Sequence, residues 1–517
     1  MTTQLHQATQ KWAFLLFTIG VFMAGLDNGI ISTAMTTINE SFKVPPSWGA
    51  WSITLYTLGI AISAPIIGKL ADRFGRRRLF VIEIALFGIG SLLVALSPNF
   101  TFLLISRLLQ SLGGGGIFII GSAHVLATFP KEKQGKALGI LGGMHGLSAV
   151  IGPNLGAVIL HITGVWQWMF LINIPIAILL VVFGWLKIPE SKPNTTAPID
   201  MVGTVLLSIA ILSFMYGITS LDGQSLVKNI TNIHVWPFLL FGLLLFILFI
   251  IHERNVEERN GDPIVSYSLL TKRLFQITLF LGLLSGGFLA GIIFIPAYVE
   301  QVLQVPVENA GFWLTPLALS SGIGAGLGGY LTDKYGAAKT LIVAGVMGVA
   351  GFLLFPFVVS GFPTFVVASI LAGVGLGILL GAPLNVLVGE SAQHKEQGSA
   401  LGTLSLIRQI GLTLFPTIFA GFMTRGYGQL DPVLKETYGD DFFHGEQIRE
   451  DRVGELIEWV GMIDNPNLRT DILDTISTVM KDGFSFMFIT AGLMSAIVVC
   501  IGIWLSLKQK RKNEVGS

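Results

Sequence analysis

Only one of the 517 residues is cysteine, Cys500, which excludes an intrachain disulfide and a cysteine-built metal centre. Charge is also scarce: Asp, Glu, Lys and Arg make up 12% of the chain, against about 25% in soluble proteins. The charges nearly cancel, to a net +1, which offers nothing to a nucleic-acid backbone. Metal-ligand clusters, an activated Ser or Cys, and a nucleotide-binding motif are all missing, which argues against a membrane-embedded enzyme. The glycines at 113–116 are not a phosphate loop, because no Lys-Ser/Thr follows them.

What the chain has is apolar length. It is 52% hydrophobic with 62 glycines. Its apolar runs reach about 20 residues or more, the length a helix needs to cross about 30 Å of hydrocarbon. Glycine at this density suits close packing of lipid-embedded helices. The polar punctuation predicts helices near 12–34, 48–70, 79–97, 101–127, 135–161 and 167–187, then a pair near 202–220 and 234–253. Further helices follow near 275–303, 309–331, 339–359, 364–390, 397–425 and 483–507, fourteen in all. The first run, Trp12 to Ala34, is longer than the core of a removable leader and contains Asp27, so it reads as a membrane helix. The expected organisation is a six-helix half over 12–187, an inserted pair with linkers over 188–260, a second six-helix half over 261–507, and a basic tail at 508–517.

Basic residues set the expected orientation. Arg73, Arg76, Arg77, Arg78, Lys131, Lys133, Lys136, Lys272, Arg273, Lys508, Lys510, Arg511 and Lys512 fall on one side, and the short opposite loops carry only Lys43 and Lys228. Both termini are therefore expected in the cytoplasm. Trp12, Trp48, Trp51, Trp166, Trp168, Trp185 and Trp236 sit at predicted helix ends, where an amphipathic ring anchors at the interface. Residues 426–482 would lie outside, with thirteen carboxylates against five Lys/Arg. Val453, Leu456, Ile457 and Val460, and Ile472, Leu473, Ile476, Val479 and Met480, fall at helical spacing either side of Asn465-Pro466-Asn467, which reads as an extracellular helical hairpin. It is a solvated cap or, more sharply, an element that handles departing cationic substrates.

The chain repeats itself. The frame Gly68-x-Leu70-x-Asp72-x-x-Gly75 returns as Gly329-x-Leu331-x-Asp333-x-x-Gly336. Gly135-x-Ala137-Leu138-Gly139 returns as Gly398-x-Ala400-Leu401-Gly402, at an offset within two residues of the first. Matched segments share an orientation, so the halves are parallel repeats, the arrangement of an alternating-access transporter with its site between them. Paired motifs in both halves argue against a non-transporting sensor.

These residues resemble the major facilitator superfamily, specifically its fourteen-helix drug:proton antiporter branch, from Trp12 to Leu507. Gly68, Leu70, Asp72, Arg73, Gly75, Arg76 and Arg77 match the signature loop between that superfamily's second and third helices. Leu26-Asp27-Asn28-Gly29-Ile30-Ile31 is similar to the branch's first-helix acidic motif, with Gly29 where Thr is usual. Arg107-Leu108-Leu109-Gln110 with Gly113 to Gly116 resembles the fourth-helix motif. Ser148 to Gly156 resembles the antiporter motif of the fifth helix, with Gly152, Pro153 and Gly156 in place and Ala157 departing from it. The resemblance implies an all-α polytopic fold of two parallel six-helix halves plus two inserted helices. It implies export coupled to proton influx, with no cofactor because the proton gradient drives it. The expected cargo is a hydrophobic, cationic drug or toxic compound, and the alternative is an endogenous lipid or amphiphile. A multi-pass monomer in a bacterial plasma membrane is expected, in contact with protons, the lipid bilayer and its small-molecule substrates, and not with nucleic acid.

Asp27 is the first candidate for proton coupling, since a carboxyl inside an apolar helix is costly when ionised and seldom idle. By helical rise Asp27 lies about 10 Å, and Arg107 about 9 Å, from the outer ends of their helices, which allows them to be neighbours. The second half has no matching acid. Exchange of about one proton for a neutral drug would then gain about 2.3 kcal/mol per 100 mV, and exchange for a monovalent cation would be electroneutral. Glu83 is expected to pair with Arg76 to Arg78, and Glu300 and Glu390 lie near helix ends. Through the repeat, His145 corresponds to Arg408, both near mid-membrane; these two and Glu300 are the cavity candidates. His145 is either a proton relay or a packing histidine. Arg408 needs a partner or a wet cavity, and it admits anionic or zwitterionic cargo. Gly68, Asp72, Arg73, Gly75, Arg76, Asp333 and Gly336 form the expected inner gate, Asp72 accepting from a helix N-terminus. The branch often supplies an acid at the inner end of the fourth helix, but here that region reads Ser122-Ala123-His124-Val125.

Overall fold

A computed structural model describes residues 2–190, 198–221, 232–439 and 453–515, and among these every regular element is a helix. The N-terminal half comprises α1 (Thr2–Phe42), α2 (Trp51–Phe74), α3 (Arg76–Ala95), α4 (Phe100–Gly114), α5 (Ile117–Thr128), α6 (Lys131–Thr163) and α7 (Asn173–Lys187). The inserted pair is α8 (Met201–Thr219) and α9 (Trp236–Glu258). The C-terminal half comprises α10 (Arg273–Ile292), α11 (Ile295–Gln301), α12 (Leu314–Tyr335), α13 (Ala337–Phe357), α14 (Phe362–Gly381), α15 (Pro383–Ser391), α16 (Gln397–Tyr438), α17 (Val453–Gly461) and α18 (Pro466–Val515).

Thirteen spans among the described residues are long and apolar enough to cross a membrane, with α4–α5, α10–α11 and α14–α15 each counting as one span. The fourteenth expected helix is present as α12, whose Gly- and Ser-rich sequence makes it less apolar than the rest. Small residues let the bundle close. A Cβ on Gly29 would lie 2.7 Å from Pro153 Cδ, and one on Gly152 would lie 2.9 Å from the Leu26 carbonyl oxygen, so α1 and α6 touch backbone to backbone. Pro153 does not interrupt α6, so the Gly152-Pro153 pair makes a close contact and leaves the helix continuous. Gly286 and Gly411 do the same for α10 and α16.

Three sequence expectations change. Trp166 is buried and packs on Phe42 and Phe170, at ring distances of 5.9 and 6.0 Å, because the turn after α6 places it against the end of α1. The two helices expected either side of Asn465-Pro466-Asn467 are present in residues 426–482, but the second is continuous with the last membrane helix. α16 runs on to Tyr438, α18 begins at Pro466, and only Val453–Gly461 is an extra helix. The extension buries Leu430, Leu434, Val460, Ile472, Ile476 and Met480, and Ser477 Oγ donates to the Val302 carbonyl at 2.8 Å, which ties it to the end of α11. Residues 440–452 of that segment, and Lys228, lie outside the described residues. Lastly, Glu83 turns away from the arginines and accepts from the Gly116 amide at 3.0 Å, where the break between α4 and α5 leaves that N–H without a helical partner. Arg77 and Arg78 meet Glu190 instead, at 3.4 and 3.5 Å.

The inserted pair packs through Gly217 against Leu239 and Gly242 against Phe214. It rests on the α2/α16 side of the bundle through Leu207, Ile211, Met215 and Phe249, against Leu58, Leu406 and Ile410. Replacing Gly242 by Leu should force α8 and α9 apart and cost about 1–3 kcal/mol. Detergent-solubilised protein would then unfold at lower temperature than wild type, and an unchanged midpoint would mean that this contact contributes no stability.

Candidate functional site

The two halves meet along two seams, α2/α16 and α6/α12, on the face that carries both termini. At the first seam a Cβ on Gly68 would lie 2.2 Å from the Gly398 carbonyl oxygen, and one on Gly402 would lie 2.4 Å from that of Ala64. At the second, Gly329 and Gly135 stand in the same relation at 2.4 Å, and Gly139 and Ala325 at 2.6 Å. The two repeated motifs noted in the sequence are thus the two sides of one contact, made twice. Each seam is completed by a carboxylate that caps the opposing helix. Asp72 Oδ2 accepts from the Ser399 amide at 3.0 Å, at the start of α16. Asp333 accepts from the Gly135 and Lys136 amides at 2.6 and 2.8 Å, in the first turns of α6. Ser399 is the third residue of α16, so Asp72 meets a free N–H group and the positive end of the dipole, while Asp333 reaches the second turn of α6, just past its free N–H groups. Gly75 and Gly336 follow these motifs with φ of 99° and 84°, a conformation that favours glycine and lets the next helix start at once.

The basic residues of the signature loop find partners that sequence reading did not name. Lys69 and Arg73 both pair with Asp262, Arg73 at 3.4 Å, and Arg76 approaches Asp72 at 3.9 Å. Asp262 lies in the linker that follows the inserted pair. Three residues on, the Val265 amide donates to buried Glu253 of α9 at 2.9 Å, and Ser399 Oγ donates to the Ile264 carbonyl. The linker therefore joins the inserted helices, the signature loop and the start of α16. Nothing in its sequence distinguishes Asp262 from other loop acids, because its partners come from almost two hundred residues away.

Deeper in the N-terminal half, Asp27, Arg107 and Gln110 are fully buried. Arg107 Nη1 donates to Asp27 Oδ2 at 2.5 Å and to Gln110 Oε1 at 2.7 Å, and Gln110 Nε2 donates to Asp27 Oδ1 at 2.7 Å. Gln110 also donates to Ser91 Oγ at 2.8 Å, which Asn173 holds from α7 at 2.9 Å. The guanidinium carbon lies 4.1 Å from the ring centroid of Tyr56 and 5.6 Å from that of Phe170. The sequence named Asp27 and Arg107 as neighbours; Gln110, Tyr56, Ser91 and Asn173 complete the group, and only the fold assembles them.

Tyr56 also faces a cavity of about 730 Å³ between the halves. The cavity lies on the far side of the closed seams and is lined from α1, α2, α4, α5, α6, α10, α12, α14 and α16. His145 and Arg408 both line it, as the repeat implied. Arg408 Nε donates to Ser285 Oγ at 3.2 Å. Glu300 is not among the lining residues, which corrects its place as a cavity candidate: the break at 293–294 directs α11 toward the α16–α18 extension. Pro153 lines the cavity, while Gly152 and Gly156 are spent on the α1/α6 contact. No cluster of metal-ligating side chains occurs among the described residues.

A sequence model described as Major Facilitator Superfamily matches residues 17–416. The chain belongs to the major facilitator superfamily. It is 55% identical over 513 residues to an uncharacterized MFS-type transporter, YfiU, of Bacillus subtilis, covering 98% of this chain and 99% of that one. It is 33% identical over 520 residues to multidrug resistance protein 3 of the same organism, covering 99% and 98%. The solved proton:xylose symporter XylE superposes with a TM-score of 0.59 at 14% identity, covering 96% of this chain and 95% of that one, which shows the shared fold. This major facilitator protein is a multi-pass membrane transporter and not an enzyme.

In a transporter the seams carry the closure of one face. A valine at Gly68 cannot be accommodated against the Gly398 backbone, so Gly68→Val should hold that face open. In a Cys500→Ser background, a cysteine at Thr403, buried at the α2/α16 seam, should then react with a soluble thiol reagent about tenfold faster, equivalent to about 1.4 kcal/mol. Asp262→Asn should raise the rate by about half that free energy. Unchanged rates would dissociate these contacts from closure.

Proposed function

We propose that this transporter is a proton-coupled antiporter that exports hydrophobic or amphiphilic compounds by alternating access, working as a single chain with its termini in the cytoplasm. The observation that carries the reading is the buried Asp27–Arg107–Gln110 group, separated from the central cavity by the ring of Tyr56. As drawn, the carboxylate compensates the guanidinium. A proton on Asp27 removes that compensation and leaves a buried arginine without a counter-charge, which costs about 3–5 kcal/mol in broken buried pairs. Proton uptake therefore destabilises the arrangement described here and favours a state in which Arg107 is solvated or finds another partner. Tyr56 links this step to the cargo: its ring covers Arg107 on one side and meets whatever occupies the cavity on the other. Cargo that displaces the ring opens the pair to the cavity, which couples occupancy of the cavity to the proton.

Support for export comes from the 33% identity to a multidrug resistance protein, and support for a drug-sized cargo from the cavity, since pockets for such molecules span about 300–1,000 Å³. The expected cationic cargo finds no carboxylate among the described lining residues, so the charge of the cargo is left open at this point.

Proton release from purified protein in weakly buffered detergent tests the coupling. Adding a hydrophobic substrate to wild type should release about one proton per chain, and Asp27→Asn should release none while still binding the substrate. Release that persists in Asp27→Asn would place the coupling elsewhere.

A further inference from the structure

The central cavity sorts its surface sharply by charge. Its walls are apolar over most of their extent, with Phe118, Leu289, Leu314 and Leu412 presenting side chains from both halves. Among the described lining residues there is no Asp or Glu, and Arg408 carries the one permanent charge. The acid nearest in function, Asp27, is fully buried, does not line the cavity and is already occupied by Arg107 and Gln110. Arg408 is in the opposite situation. It forms no ion pair among the described residues, its Nε reaches a serine hydroxyl, and its Nη2 has no hydrogen-bond partner. Gln409 beside it lines the same cavity with its Oε1 unpartnered.

A guanidinium cannot give up its proton to escape burial, so its charge persists in every state of the transporter. Held within an apolar bundle without a counter-ion, it is expensive unless something anionic visits it. Its fork of N–H groups matches the geometry of carboxylate, sulfonate or phosphate oxygens. A cationic ligand placed in this cavity would meet Arg408 and no compensating acid among the described lining residues.

Resting on the antiporter reading above, we infer that the cargo is an amphiphilic anion, an apolar body of drug size that seats its acidic head on Arg408. The apolar walls take the body, and the polar edge formed by Arg408, Gln409 and Ser405 of α16 takes the head. His145, on α6, is the matching position of the repeat and adds a polar contact to the cavity wall. The charge balance follows directly: one proton carried in and one anion carried out move two charges in the same electrical sense, so the membrane potential drives the cycle as well as the pH gradient.

Head-group selectivity tests this with one apolar body and three heads. Pyrenebutyrate, pyrenebutanol and pyrenebutyl-trimethylammonium would each be titrated into purified full-length transporter by calorimetry. The anion should bind about tenfold more tightly than the alcohol, the gain expected of a charge-assisted pair, and the ammonium more weakly than either. In Arg408→Gln the anion-to-alcohol ratio should fall to about one, and Arg408→Lys, which keeps the charge and loses the fork, should fall between. Glu300→Gln, off the cavity, should keep the wild-type ratio. Ammonium binding most tightly in wild type, or an anion preference that survives in Arg408→Gln, would overturn the assignment. If Arg408→Gln fails to fold, the wild-type order of the three heads and the Arg408→Lys ratio still decide. The antiporter reading fails separately: anion selectivity without substrate-triggered proton release would leave the Arg408 site standing and remove the coupling, while proton release with ammonium selectivity would do the reverse.

Discussion

Everything that distinguishes one face of this bundle from the other depends on backbone meeting backbone at two glycine seams. Van der Waals contact falls off so steeply that a single methyl between Gly68 and Gly398, or between Gly135 and Gly329, would hold the helices apart. With no side chains in the way, the capping carboxylates Asp72 and Asp333 come within hydrogen-bonding distance of amides on the opposing half. The seams therefore couple a steric condition to an electrostatic one. Both are met together in the closed seams.

The same arrangement explains why the central cavity is placed where it is. Closing the terminal face between α2 and α16 and between α6 and α12 pins the halves at one end and leaves their other ends apart, so the space between them widens away from the seams. Helices that close a seam at one level line the cavity at another: α6 contributes Gly135 and Gly139 below and His145 and Asn154 above, and α16 contributes Gly398 and Gly402 below and Arg408 above. Each seam and its part of the cavity wall are thus carried on one continuous helix.

Charge is apportioned between the halves. In the N-terminal half an acid and a base neutralise each other out of reach of the cavity, and in the C-terminal half a base faces the cavity. The inserted pair adds a third charged station. Its linker brings Asp262 to Lys69 and Arg73 and its Glu253 to the Val265 amide, so helices outside the twofold repeat are bound into the closed face. The signature loop here finds its acid on this linker, and the place of an acid in the fourth helix is taken by buried His124.

Much of the architecture was legible in the chain itself. Apolar runs must become helices where no water can satisfy the backbone, so their number and order follow from composition. Internal repetition of Gly-x-Leu-x-Asp and Gly-x-Ala-Leu-Gly announced two parallel halves, and the isolation of Asp27 and Arg107 in apolar helices announced a pair. Local pattern could not say that the repeated motifs meet each other, that Glu83 serves a helix break instead of an arginine, that Trp166 folds inward, or that Glu300 turns away from the cavity. Those outcomes depend on which faces of distant helices are brought together. Periodicity in the chain determines that a segment is a membrane helix; the neighbour that each side of it meets is decided only when the whole bundle packs, because close packing selects partners by shape at positions hundreds of residues apart.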